Sequence, residues 1–147
     1  MKKLFFAAIA LLLSAGAFAQ ETTCISKELD GSLTLRTWGV GRNKTDALEQ
    51  AKKQAVYDVI FNGITKGNTD YTMRPIMSEV NARQRYQDYF DIFFSDRGEY
   101  RKYISMEDSR AGSTNVVKRS KRDVTVSCTV RVLVPQLRAR LKADGLL

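Results

Sequence analysis

Val124-Thr125-Val126-Ser127-Cys128-Thr129-Val130-Arg131-Val132-Leu133-Val134 alternates without a break. Val124, Val126, Cys128, Val130, Val132 and Val134 fall on one side, and Thr125, Ser127, Thr129, Arg131 and Leu133 on the other. Successive side chains of a strand point to opposite faces. A β-branched run of this period is therefore a strand with one buried face, the habit of antiparallel sheets. Pro135 then opens a last helix over residues 136–143, where its missing amide is harmless, and Gly145 stops it.

Working back from that strand, residues 115–122 read as a preceding strand or as the same strand before a bulge. Residues 107–114 are turn material around Gly112. Residues 100–106 alternate and predict a strand. Residues 78–94 predict a helix with an aromatic-heavy face of Val80, Tyr86, Tyr89, Phe90, Phe93 and Phe94. Residues 65–75 are polar, with glycine and proline, and predict a loop.

The first half of the domain begins with a hairpin of residues 24–29 and 32–40 across Asp30-Gly31. Leu33 and Leu35 point one way, and Thr34, Arg36 and Trp38 the other. Gly39-Val40-Gly41 ends the second strand. A helix over residues 45–62 follows, capped by Asn43 or Thr45, with Asp46 and Glu49 suiting its first turns. Ala47, Leu48, Ala51, Ala55, Val56, Val59 and Ile60 share its inner face, while Glu49, Lys52, Lys53 and Asp58 lie mainly outside it. Three inward alanines imply a close approach to the sheet, and Asn62-Gly63 is the stop. The order β, β, α, α, β, β, α defines an α+β two-layer sandwich, an antiparallel sheet with helices packed on one face. It lacks the strand–helix alternation of a doubly wound nucleotide fold.

Trp38-Gly39-Val40-Gly41 running into Ala47, Ala51 and Ala55, with a valine-rich strand and short helix closing the chain, resembles a family of small exported bacterial domains. These are typified by the amino-terminal domain of flagellar-assembly protein T and by small outer-membrane lipoproteins. The resemblance lies mainly in residues 33–60. It implies an envelope-located, non-enzymatic module and supplies no catalytic residues. Two features depart from it: no lipobox precedes Cys24, and residues 86–94 match no motif of that family.

The address is written in residues 1–19. Lys2 and Lys3 precede an apolar run, and Ala17-Phe18-Ala19 offers a cleavage site before Gln20. This is the pattern of a removable export signal, and the run is shorter than the ~20 residues a spanning helix needs. Glu21-Thr22-Thr23 before Cys24 does not fit lipid attachment. The expectation is a soluble periplasmic or secreted domain of residues 20–147. Export permits a Cys24–Cys128 disulfide; the alternative is two unpaired thiols.

The chain has 147 residues, no histidine, two cysteines and a formal net charge of +8. Lacking histidine, it has no Ser-His-Asp triad or Cys-His dyad of its own, and two cysteines cannot build a four-cysteine metal site. The remaining acid–base groups, Asp88, Asp91, Asp96, Glu99, Glu107 and Asp108, show no paired spacing. Gly39-Val40-Gly41 is no phosphate loop, because position 44 is lysine without a preceding glycine. Neither catalytic residues nor a cofactor or metal is expected.

Two surfaces remain. Lys118, Arg119, Lys121 and Arg122 flank Ser120 and place four cations in five residues. They are suited to anionic lipid or glycan, or else are solvated charges that keep a sheet edge from aggregating. Nucleic acid suits the charge, but export argues against it as partner. Tyr86, Tyr89 and Phe93 are either core or a partner surface. The leading expectation is an exported, non-enzymatic protein-interaction module in envelope assembly or maintenance, its partner an envelope protein. The alternatives are a binder of anionic lipid or glycan through the basic hairpin, and a small carboxylate-dependent enzyme.

Overall fold

A computed structural model describes residues 21–106 and 114–147. The predicted export signal and the predicted turn around Gly112 lie outside the described residues. The chain forms an α+β domain. In order its elements are β1 (Thr23–Lys27), β2 (Leu33–Gly41), α1 (Lys44–Tyr57), β3 (Lys66–Gly67), α2 (Ala82–Arg85), α3 (Gln87–Phe93), β4 (Ile104–Ser105), β5 (Thr114–Arg119), β6 (Val124–Val132) and α4 (Val134–Ala143).

β6 is the spine of the sheet. It pairs antiparallel with β2 along its whole length, from Gly41 opposite Val124 to Leu33 opposite Val132. Its other edge is shared by β5 and the short β4. β1 continues the sheet beyond β2, and β3 lies outside β1. The β3–β1 pair is parallel, so the sheet is mixed where the sequence predicted a wholly antiparallel one. Gly67 permits this, since a side chain there would collide with the Cys24 carbonyl.

The alternation of β6 is realised as predicted: Val124, Val126, Cys128, Val130 and Val132 are buried. Val134 leaves the strand and opens α4, because Pro135 sits in the first turn. β5 is a separate strand with its own bulge between Val116 and Lys118.

α1 lies on the Val126/Val130 face of the sheet. Asn43 caps it by accepting from the Asp46 amide at 2.9 Å. Ala47, Ala51, Ala55, Val56, Val59 and Ile60 are buried against the strands, and Leu48 is half-buried beside them. Residues 58–62 finish as a π turn, closed where the Gly63 amide donates to the Asp58 carbonyl at 2.7 Å. Asp58 is buried, contrary to its predicted outward placement. It stands seven residues after Ala51, a spacing that returns to the same side of a helix.

The segment 78–94 is not one helix. Asn81 adopts a left-handed conformation (φ 63°), and Tyr86 leaves helical geometry between α2 and α3. Val80 is consequently exposed. The predicted strand over 100–106 is instead a 3-10 helix, Glu99–Tyr103, followed by the two-residue β4. Tyr100 and Tyr103 are three residues apart, which is one turn of a 3-10 helix, so both rings point inward.

Candidate functional site

The β5–β6 hairpin carries the basic cluster at its tip. Ser120 and Asp123 close the turn: the Ser120 amide donates to the Asp123 carbonyl at 2.8 Å, and the Asp123 amide donates to Ser120 Oγ at 3.0 Å. A short side-chain oxygen inside a turn fixes it locally, so the display of charge is built rather than floppy. Lys118, Arg119, Lys121 and Arg122 are all exposed, as predicted. None has a carboxylate within ion-pair distance among the described residues. Arg42, Lys53, Arg83, Arg101 and Arg140 each do.

The sheet face turned away from α1 leads straight to this tip. Thr37 and Gly39 point at α1, so Trp38 and Val40 point away from it. Across the ladder, Val40 stands opposite Thr125, and Lys118 faces Thr125 from β5. Trp38 stands opposite Ser127, with Asn115 beyond. Trp38 is half-buried, while Val40 and Val117 are each 52% exposed.

The aromatic segment contributes largely to the core. Phe93 is buried, and Tyr86 and Tyr89 are half-buried. The Tyr89 and Phe93 rings belong to a continuous cluster: Phe93 meets Phe94 at 5.0 Å, Tyr89 meets Phe90 at 5.1 Å, and Phe90 meets Phe61 at 4.8 Å. The cluster packs on the flank of α1, where Tyr57 also meets Phe94 at 6.0 Å. The Tyr89 hydroxyl donates to Asp144 at 2.6 Å, which ties α3 to the end of α4. Burial and this bond raise the Tyr89 phenol well above its usual range.

Of the two alternatives for the cysteines, the structure has the unpaired thiols. Both are buried free thiols. Cys24 lies on β1 opposite Leu35, and Cys128 on β6 opposite Thr37, so β2 runs between them. Two strand spacings are roughly 10 Å, beyond the ~7 Å Cα separation that a disulfide spans. Burial pushes the Cys128 thiol up to about 11 and raises Cys24 as well.

Two enclosed carboxylates escaped the sequence reading. Asp58 borders a cavity of about 390 Å³ lined also by Glu21, Thr22, Gln54, Asn62 and Lys66. It accepts from Gln54 Nε2 at 2.9 Å, Asn62 Nδ2 at 2.6 Å and the Thr22 hydroxyl. Gln54, Asp58 and Asn62 at four-residue spacing were the available signal. Glu49 accepts from Tyr100 Oη at 2.7 Å and pairs with Lys52 and Arg101, each at 2.9 Å. Burial alone would raise its pKa, but these three donors outweigh it and hold the carboxyl at about 2. The same surroundings push Tyr100 up to about 12, burial first.

Among the described residues, no group of histidine, cysteine or carboxylate side chains gathers as a metal site, and no helix is long and apolar enough to cross a membrane. Set against known proteins, the chain matches no family model, no curated protein and no solved structure.

Proposed function

We propose that the protein is an exported, non-enzymatic binding module of the cell envelope that engages an anionic surface through the β5–β6 hairpin. The observation that carries this reading is the set Lys118, Arg119, Lys121 and Arg122, exposed on a fixed turn and without carboxylate partners among the described residues. Unpaired like charges repel one another, and an anionic partner relieves that repulsion. Phosphate or sulfate groups of envelope lipid or glycan have the matching chemistry. The hairpin is preferred to the aromatic segment as the docking surface because Phe93 is buried and Tyr86 and Tyr89 are half-buried. The non-enzymatic part of the reading is supported by Asp58 and Glu49. Each is held by three donors, an arrangement that fixes structure, and the Glu49 carboxyl, held at about 2, is a poor base for proton transfer.

Replacing Lys118, Arg119, Lys121 and Arg122 by serine tests it. The wild-type protein should cosediment with phosphatidylglycerol vesicles or bind sulfated-glycan beads at low salt, and should be released as salt rises. The variant should fold normally by circular dichroism and lose retention. Unchanged retention together with new self-association would instead make the cations edge protection.

A further inference from the structure

We infer that the partner is an anionic phospholipid bilayer, met by the hairpin end of the sheet face that turns away from α1, with Trp38, Val40 and Val117 entering the lipid interface among the basic side chains. The inference rests on the binding reading above and names its ligand.

The bulge in β5 supplies the geometry. Val116 pairs with Val126 and Lys118 with Thr125, so Val117 is the extra residue and shares the Thr125 position with Lys118. Val40 lies across Thr125 on β2. One row of the sheet therefore runs Val40, Thr125, then Val117 and Lys118, with the two valines about 10 Å apart across two strand spacings. Trp38 occupies the next row, opposite Ser127. Between these apolar groups the ladder places the short hydroxyl side chains of Thr125 and Ser127. Lys121 and Arg122 stand beyond the row at the turn, and Arg119, opposite Val124, belongs to the α1-facing register.

That combination is specific to lipid. An indole sits well at the headgroup level, where one edge is apolar and the other wet. Lysine and arginine alongside are drawn to anionic headgroups. A phosphorylated or sulfated sugar is recognised by charge, hydrogen bonds and stacking, and gains nothing from two exposed valines. Burying those valines rewards contact with the acyl boundary.

Trp38 is the chain's single tryptophan, which makes it a reporter. The protein as recovered from expressing cells is mixed with vesicles of phosphatidylcholine alone, of phosphatidylcholine with phosphatidylglycerol, and of the latter carrying brominated acyl chains. The expected result is a blue shift of Trp38 emission on anionic vesicles, quenching by the brominated chains, and reversal by salt. Vesicles of phosphatidylcholine alone should give none of these. The Val40→Ser/Val117→Ser variant keeps every cation and the reporter; it should lose the quenching and bind anionic vesicles about tenfold more weakly. Sedimentation with anionic vesicles but unchanged emission overturns the lipid-insertion inference and leaves the charge-binding reading standing. So does retention on sulfated-glycan beads with none on vesicles. Absence of retention on either at low salt overturns both.

Discussion

Gly39 on β2 lies directly beneath Ala51 on α1: a methyl group at Gly39 would come within 2.3 Å of the Ala51 amide nitrogen and 2.2 Å of the Ala47 carbonyl. The sheet and helix meet backbone to backbone here, which is why three alanines and no larger residue occupy that stripe. Gly39→Ala leaves nowhere for the methyl to go, because both obstacles are main-chain atoms. The helix must lift off Val126 and Val130. We expect a loss of about 3 kcal/mol, at the upper end of overpacking costs, read as a lower urea midpoint. A midpoint equal to wild type would refute the contact.

The Glu49 cluster predicts a specific acid limb. The folded-state pKa, about 2, lies below the ordinary glutamate value of 4.5. The carboxylate therefore contributes stability that is fully present above about pH 4.5 and is lost as pH falls toward 2. Because the cluster is partly open to solvent, screening keeps this contribution to about 1 kcal/mol. Glu49→Gln should flatten the decline in urea stability over that window while leaving its other slopes unchanged. Parallel curves for the two proteins would show that Tyr100, Lys52 and Arg101 do not hold the charge.

Much of this architecture was legible where one period governs a long run. β6 alternates because its valine face packs under α1, and the valines announce that directly; Thr129, on the other face, is buried as well. The inner stripe of α1 and its stop at Gly63 were readable for the same reason. The basic hairpin was readable because a run of cations has nowhere to go but outward. The reading failed where α1 carries two packing faces. Lys53, Tyr57 and Phe61 stand four residues apart along its flank and meet Asp96, Phe94 and Phe90. A reading that looks for one apolar stripe assigns that flank to solvent, and then leaves Tyr86, Tyr89 and Phe93 without a partner inside the domain. Trp38 and Val40 were readable as facing away from α1, but their alignment with Val117 depends on a bulge that no sequence pattern marks. The Asp58 cavity was hidden because a carboxylate in a helix is usually solvated; its burial depends on Thr22 arriving from another element.

The cysteines supply the last prediction. Cys24 and Cys128 flank β2 from opposite sides, buried and unpaired. Folding in an oxidising medium should therefore leave two free thiols, countable by alkylation after denaturation without reductant. In the native protein both should react slowly with a thiol reagent at neutral pH. Thiolate is the reactive form, and Cys128 at about 11 supplies very little of it, while burial also denies access. Mild urea, below the unfolding midpoint, should leave Cys128 protected and release Cys24 first. Cys128 lies on the central β6, paired along both edges, whereas Cys24 sits near the margin, held by β2 and the two-residue β3. A mass two units below that of the dithiol form after non-reducing denaturation would show a closed bridge. That bridge would require β1 to leave its register with Leu35, so it would overturn the strand order β3-β1-β2-β6 itself.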